Sequence, residues 1–162
     1  MFPLVRPLFT SIIALRRFCA ILAVMWTTTI RPRFCETDAL GHINNTVLPV
    51  WFLEAREPVI AIFTPEPART ENGLAMVHMD ITFKAESLFG SPVTVTTTIG
   101  KVGNRSMEVV QRAWQNGVLT AIGKATLVSF NTRERKSQPI TDTQREQLQH
   151  HLDGPAAEQP PE

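Results

Sequence analysis

The sequence has almost no excess of charge of either sign and only two cysteines. Its 162 residues include 16 Lys and Arg against 15 Asp and Glu, a formal net charge of +1 at pH 7. The basic residues are scattered, so the chain lacks the clustered positive charge of a nucleic-acid-binding protein, and we expect no nucleic-acid partner. Cys19 and Cys35 form no CxxC pair and have no histidine at metal-ligand spacing, which indicates a reducing, cytoplasmic environment and no metal site.

A hydrophobic run long enough to span a membrane is also missing. The apolar stretch near the N-terminus, FCAILAVMW, is much shorter than the roughly 20 residues that a transmembrane helix needs, so we expect no stable membrane span. Residues 1–25 contain three arginines and no acid. Four interpretations stay open for them: an extension upstream of a working start at Met25, a surface-lying amphipathic helix, a cleaved secretory signal, or an arginine-rich transit leader.

The rest of the chain divides into one domain and a polar tail. Residues 26–132 carry the periodic apolar pattern and have the length of a single domain. Residues 133–162 are rich in Gln, Glu, Arg and Pro and bury too little apolar surface to offset the entropy of ordering. We therefore predict a largely disordered, Pro-rich tail, with one short exposed helix over residues 141–152 that Thr141 caps, and with solvated His150 and His151.

Four segments of the domain alternate between apolar and polar residues with the period of two that defines a β-strand, and residues 27–34 are predicted to form a fifth strand before them. Asn-Gly at 116–117 and Gly-Asn at 103–104 predict tight hairpin turns between the last three of them. In the strand over residues 75–84, the pattern places Ala75, Val77, Met79, Ile81 and Phe83 on one face. The five predicted strands cover residues 27–34, 75–84, 91–102, 105–115 and 118–130.

An apolar helix is predicted between the first and second strands, over residues 46–63. Its hydrophobic positions follow the i, i+3, i+4 spacing of a buried stripe and extend well beyond one side. Pro58 lies inside this segment and should kink the helix or end its regular part. A helix that is apolar nearly all round needs to be wrapped, so we predict an α+β fold in which one curved antiparallel β-sheet wraps around one central apolar α-helix.

A short polar loop precedes this helix and carries the residues best suited to chemistry. Asp38, His42, Asn44 and Asn45 lie where the helix is expected to begin, close to backbone N–H groups that have no partner within the helix. A carboxylate beside such donors can act on a carbonyl while the donors polarise it. We therefore interpret the loop as an active site.

The loop and helix also resemble a known family. The order Asp-Ala-x-Gly-His-x-Asn-Asn, followed by a helix with Trp51, Phe52, Glu54, Ala55 and Arg56, is similar to the hydroxybenzoyl-CoA thioesterase-like branch of the hotdog superfamily, over about residues 26–132. The resemblance implies the hotdog fold, hydrolysis of acyl-CoA to a free acid and coenzyme A, and no cofactor beyond the coenzyme A of the substrate. It also implies a homodimer or homotetramer, which agrees with the need to protect the open edge of a sheet.

The same resemblance gives roles to the loop residues. Asp38 would attack the thioester carbonyl or deprotonate water, and these two mechanisms stay open. The backbone N–H of Asn45, seven residues later as in the family, would polarise the carbonyl, and His42 would bind Asp38 or place the water. Less specific interpretations also stay open: Asp38 stabilises a turn, Asn45 or Thr46 caps the helix, and His42 only holds the loop.

Further residues are candidates for the pocket. Glu54 falls on the apolar side of the predicted helix, where a charge needs a partner. It either faces the pocket, within one chain or from across a dimer interface, or pairs with an arginine at position 56, 105 or 112. Lys101, Arg105 and Ser106 match the family position that borders the cofactor groove. The full set of predicted substrate contacts is Asn44, Thr46, Trp51, Lys101, Arg105 and Ser106. Trp51, Phe52 and Met76 are candidates to line the acyl channel, but core packing explains each of them better.

Other function classes have less support than hydrolysis by this loop. No GxSxG motif is present, which argues against a serine thioesterase of the α/β-hydrolase type. Cys35 is three residues before Asp38, and its role as a nucleophile is less expected than that of a small buried hydrophobe. A hotdog dehydratase lacks support, because the loop does not match the histidine motif of that group. A non-catalytic acyl-CoA-binding module or assembly subunit is the alternative from a different class.

Overall fold

A computed structural model describes residues 24–64 and 71–161, so the prediction for residues 1–25 lies almost entirely outside the described chain. One six-stranded antiparallel sheet dominates the fold, with the strand order β1-β3-β4-β5-β2, and β6 pairs with β5. In the described part, no helix is long and apolar enough to cross a membrane. The elements are β1 (Trp26–Ile30), α1 (Leu48–Glu54), α2 (Glu57–Phe63), β2 (Asn72–Phe83), β3 (Val93–Val102), β4 (Ser106–Gln115), β5 (Val118–Asn131), β6 (Lys136–Ser137) and α3 (Asp142–Gln149).

The predicted hotdog architecture is confirmed, because the sheet curls around the apolar helical segment. Helix α1 packs through Trp51 and Phe52 against one end of the sheet, where Val93 and Val95 belong to the same buried cluster. Helix α2 packs through Val59 in a second cluster, whose sheet residues are Ile99, Met107, Val109 and Leu127. Burial of these two faces supplies the main hydrophobic stabilisation of the fold.

The helical segment is two short helices, whereas the sequence predicted one helix over residues 46–63 that Pro58 would kink or bring to an end. Each has seven residues, and the break falls at Ala55 and Arg56, before Pro58. Pro58 occupies the first turn of α2, where its missing N–H has no helical acceptor to lose. Pro58 therefore starts the second helix instead of bending one long helix.

Gly123 allows α1 to approach the middle of the sheet. A Cβ atom at this position would lie 2.5 Å from a ring carbon of Phe52, whose side chain is fully buried. The ring therefore occupies the space that any other residue would need. Phe52 and Gly123 form a matched pair that sets the distance between α1 and β5.

A β-bulge corrects the predicted face assignment of the second strand. The register of β2 against β5 shifts between Met76 and His78. As a result Leu74 and Met76 point to the same side as Met79 and Ile81, towards the helices, whereas strict alternation had put Met76 on the opposite face. One extra residue in a strand reverses the facing of every residue beyond it, and periodicity alone does not locate it.

Arg56 is a buried cation at the break between the helices. Arg56 is only 3% exposed. Its guanidinium donates two hydrogen bonds to Oε1 of Gln111, at 2.9 and 3.2 Å. The same group contacts the sulfur atoms of Met76 and Met79. Gln111 in turn donates to the Phe52 carbonyl at 2.8 Å. Burial lowers the pKa of Arg56 below its ordinary value. This polar network ties the helix break to the centre of β4.

The C-terminal segment is ordered, so the predicted disordered tail is wrong. The predicted cap is confirmed, since the Thr141 hydroxyl accepts from the Gln144 N–H. Ile140 and Leu148 are buried in the second core cluster, and Ala157 is buried further along. The polar composition of this segment did not indicate its packing, because only three apolar side chains, separated by polar neighbours, become buried.

Residues 150–158, the C-terminal strap, fasten this segment to the sheet edge. The Ile99 N–H donates to the His151 carbonyl and the Asp153 N–H donates to the Ile99 carbonyl, both at 2.8 Å. The His151 ring stacks on Trp26 rather than being solvated. Asp153 forms an ion pair with Arg112. Burial alone would raise the pKa of Asp153, but the hydrogen bonds from Arg112 and Thr98 hold this pKa below its ordinary value.

Gly123→Ala should lower the free energy of unfolding by about 1–3 kcal/mol, because the new methyl group collides with the buried Phe52 ring. Urea denaturation followed by circular dichroism measures the change. Gly154→Ala is the matched control, since a Cβ atom there meets no atom within 4 Å. Equal stability of the two variants would contradict the proposed packing of Phe52.

Candidate active site

The loop between β1 and α1 folds into a tight turn around Asp38. One carboxylate oxygen, Oδ1, accepts from the Leu40 N–H at 2.8 Å and from the His42 N–H at 3.0 Å. The backbone closes the same turn, with Asp38 N–H donating to the His42 carbonyl at 2.8 Å, and Gly41 adopts a φ of 81° that other residues avoid. The turn therefore fixes the carboxylate through Oδ1, and Oδ2 lies 4.0 Å from His42 Nδ1.

The residues between the Asp38 turn and α1 do not form the side-chain cap that the sequence allowed for Asn45 or Thr46. Asn44 Oδ1 accepts from the N–H and the hydroxyl of Thr46, and Val47, the cap residue of α1, receives no side-chain hydrogen bond. Neither Asn45 nor Thr46 is the cap. Asn45 lies in a turn before the helix, and in the part of the chain that the structure describes its N–H makes no hydrogen bond.

A cavity of about 460 Å³ adjoins this loop. It brings together four of the predicted site residues, Asp38, His42, Asn44 and Asn45, whereas Thr46 is adjacent in sequence but does not line it. The remaining wall comes from the start of α1, the end of β2 and its following loop, and β5. These additional lining residues are Ile43, Leu48, Phe83, Lys84, Ala85, Glu86, Ser87 and Ala121.

The segment 83–87 was not predicted to be part of the site. Two backbone contacts bring it to the loop: the Ile43 N–H donates to the Ser87 carbonyl at 2.8 Å, and His42 forms a β-bridge with Leu88. Glu86 Oε2 consequently lies 3.5 Å from His42 Nε2. The only sequence signal was a Lys and a Glu directly after an apolar strand, which is common on protein surfaces.

Gln115 holds the segment that follows Glu86. The Gln115 residue is 5% exposed, and its Oε1 accepts from the Leu88 N–H while its Nε2 donates to the carbonyls of Leu88 and Ser91. These bonds lie between 2.7 and 2.9 Å. The end of β4 thus positions the backbone that pairs with the Asp38 loop.

Glu54 and Trp51 lie outside this cavity. Both line a second cavity of about 450 Å³ that also contains Arg33 and Glu36. The Trp51 indole N–H donates a long hydrogen bond to the Glu36 carboxylate. Burial alone would raise the pKa of Glu36, but the hydrogen bonds from Arg33 and Trp51 bring this pKa below its ordinary value. Glu54 is exposed, so it needs none of the partners at positions 56, 105 and 112 that were predicted for it.

The predicted cofactor groove residues are also distant from Asp38 within one chain. β1 ends with Ile30 opposite Val93, and Lys101 is eight residues further along β3, about 26 Å at 3.3 Å per residue. Arg105 donates to Ser137, and Ser106 begins β4 beside it. The β3–β4 turn is therefore at the opposite end of the sheet from the Asp38 cavity.

Cys35 is exposed and does not line the Asp38 cavity, so the expectation of a buried position is wrong. Among the described residues, no group of three or more His, Cys, Asp or Glu side chains is placed to hold a metal ion. The groups available for chemistry at the cavity include a fixed carboxylate, an imidazole, the Asn45 N–H and the side chains of Lys84 and Glu86.

Comparison with known proteins agrees with this fold and loop. The family model described as the thioesterase-like superfamily matches residues 32–148. A predicted thioesterase from Bacillus stearothermophilus is 37% identical, with a TM-score of 0.76 over 82% of this chain and 99% of that chain. The chain therefore belongs to the thioesterase-like superfamily, whose reaction class is thioester hydrolysis. No curated protein matches the chain.

Two more distant structures share the fold. A Thermus thermophilus thioesterase complexed with coenzyme A and Zn is 22% identical, with a TM-score of 0.67 over 76% of this chain and 90% of that chain. A Staphylococcus aureus protein in complex with CoA is 16% identical, with a TM-score of 0.72 over 86% of this chain and 89% of that chain.

Gln115→Leu should lower both stability and thioesterase activity, because the N–H and carbonyl of Leu88 lose their buried partner at a cost of about 1–3 kcal/mol. Hydrogen exchange at the Ile43 N–H should accelerate as the segment 87–91 loosens. Gln138→Leu, which removes an exposed amide hydrogen bond, is the control for both measurements. Unchanged exchange at Ile43 in the Gln115 variant would show that Gln115 does not hold the loop.

Proposed function

We propose that the protein hydrolyses acyl-CoA thioesters with Asp38 as the reacting carboxylate. The observation that supports this most directly is the pairing, in one cavity, of a carboxylate fixed by its own turn with a backbone N–H that has no partner among the described residues. The coenzyme A in the Thermus and Staphylococcus structures supports the substrate class. The scheme needs no metal or organic cofactor.

Asp38 is suited to either of two roles. Oδ1 accepts two backbone hydrogen bonds, which leaves Oδ2 directed towards His42. As a nucleophile, Oδ2 attacks the carbonyl carbon, the carbon–sulfur bond breaks, the thiolate of coenzyme A leaves, and water then hydrolyses the acyl anhydride. As a general base, Oδ2 takes a proton from water while the water oxygen attacks the same carbon.

Asn45 supplies the electrophilic partner in this proposal. As the carbonyl carbon is attacked, negative charge builds on its oxygen, and a preorganised backbone donor stabilises that charge more than it stabilises the substrate. Within the described chain the Asn45 N–H has no acceptor, and the residue lines the cavity with Asp38. Asn44 holds this turn through its bonds to Thr46, so we assign Asn44 a supporting role.

The cavity wall gives each end of the substrate a different environment. Leu48, Phe83 and Ala121 offer apolar surface to the acyl group. Lys84 lines the same cavity and is the cation best placed within one chain to meet a negatively charged part of the substrate. Lys84 therefore replaces Lys101 and Arg105 in the proposal for one protomer.

We also propose that the active form contains a second copy of the chain, as the hotdog fold implied. β2 is an edge strand of 12 residues, and Met76 and Val77 expose apolar side chains on it. A long apolar edge invites strand pairing, and antiparallel pairing of β2 with its own copy is compatible with a two-fold axis. The exposed Val50 and Leu53 on α1 add apolar surface.

Asp38→Asn should lower kcat for a reactive acyl-CoA by about 10²–10⁴-fold, because the amide neither attacks the carbonyl nor accepts a proton from water. Free coenzyme A released from short, long and aromatic acyl-CoAs is measured with a thiol reagent. Cys35→Ser and Asp80→Asn should retain activity, since neither residue lines the cavity. Full activity of the Asp38 variant would refute the mechanism, and binding of acyl-CoA without any release would indicate a binding module instead.

Val77→Glu should weaken self-association, because it places two like charges at the paired edge. Sedimentation velocity over a range of protein concentrations measures the effect. Val118→Glu is a matched control, since Val118 is 52% exposed and Val77 62% exposed, but Val118 follows the β4–β5 turn. A wild-type protein that sediments as a monomer at all concentrations would contradict the proposed dimer.

A further inference from the structure

We propose that Glu86 is a positioning residue that acts through His42 to keep the Asp38 carboxylate free for reaction. This inference rests on the proposed function, since it assigns Glu86 a part in the same hydrolysis. Glu86 lines the Asp38 cavity and was not among the residues that the sequence indicated.

The imidazole of His42 lies between two carboxylates. Its Nε2 is 3.5 Å from Glu86 Oε2, and its Nδ1 is 4.0 Å from Asp38 Oδ2. A neutral imidazole carries one proton on one of these nitrogens, and the partner of each nitrogen influences which one. The two acidic side chains therefore compete for the single proton of the neutral ring, each favouring it on the nitrogen that it faces.

The outcome of this competition matters for Asp38. If Nδ1 carried the proton, it would donate towards Asp38 Oδ2 and hold the oxygen that must attack or deprotonate. With Glu86 accepting from Nε2–H, Nδ1 presents a lone pair instead. That lone pair accepts from a water molecule near the thioester, and Asp38 Oδ2 keeps its own lone pairs for the reaction. The shorter separation on the Nε2 side favours this arrangement.

The backbone, rather than a chance surface contact, brings Glu86 to His42. The residues directly after Glu86 pair with the catalytic loop through the Ile43–Ser87 hydrogen bond and the His42–Leu88 bridge. Gln115 then fixes Leu88 from the other side. Glu86 itself is 71% exposed, so its effect on His42 is screened by solvent, and a moderate change in rate is expected.

The decisive experiment is a double-mutant cycle of Glu86→Ala and His42→Asn, measured as kcat and KM on one acyl-CoA. Glu86→Ala alone should lower kcat about three- to tenfold with little change in KM. In the His42→Asn background the same substitution should change kcat less than about twofold, because the residue through which it acts is gone. Glu86→Gln, which keeps an acceptor oxygen, should recover part of the lost rate.

A spectroscopic measurement covers the case in which His42→Asn is too slow to assay. Nitrogen-15 spectra of the imidazole rings report the tautomer directly, and the signals absent from His42→Asn assign His42. Glu86→Ala should shift His42 from the Nε2–H form towards the Nδ1–H form. Glu134→Ala, at an exposed carboxylate in the turn after β5, should change neither the spectrum nor kcat.

The outcomes separate this inference from the proposed function. An unchanged tautomer in Glu86→Ala, or equal rate losses in both backgrounds, overturns the role of Glu86. If Asp38→Asn is inactive while Glu86→Ala behaves as the wild type, only this inference fails. If Asp38→Asn is fully active, the proposed function fails, and the role of Glu86 in that reaction fails with it. Thermal denaturation of each variant separates a rate effect from a loss of folded protein.

Discussion

Burial of the two short helices against the curled sheet is the constraint on which the rest of the structure depends. The contact is close because Gly123 has no side chain and the Phe52 ring occupies the space where a Cβ atom would lie. The Gln111 side chain on β4 also hydrogen-bonds to Arg56 and to the Phe52 carbonyl at the helix break. Since α1 is fixed in this way, the turn that precedes it is also fixed. The position of the Asn45 N–H therefore follows from core packing about two helical turns further along the chain.

The site is assembled from three stretches of chain that meet through hydrogen bonds to the backbone. The Asp38 turn closes on itself, the segment after β2 pairs with it, and Gln115 at the end of β4 supports that segment. The apolar side chains of Leu48, Phe83 and Ala121 line the cavity without taking part in these backbone hydrogen bonds. The backbone frame and the cavity lining are therefore separate parts of the site, and a change in the lining need not disturb the frame.

The sequence predicted the sheet and the position of the Asp38 loop better than it predicted the helix break, the bulge and the C-terminal segment. Alternation and Asn-Gly turns report local preferences, and these agree with the structure around Asn116 and Gly117. The β2 bulge depends on pairing with β5, and Leu148 is buried only because α2 and β3 leave a site for it. Likewise Glu86 joins the cavity through contacts distant in sequence, which no short motif records.

The C-terminal strap has a consequence for how the domain forms during translation. The cluster around Val59, Phe63 and Ile99 is closed by Ile140 and Leu148, and Asp153 binds Arg112 only afterwards in chain order. A chain that stops before Leu148 therefore has part of this core exposed to water. Completion of this core therefore waits for α3, and a polypeptide without that helix exposes apolar side chains that would favour aggregation.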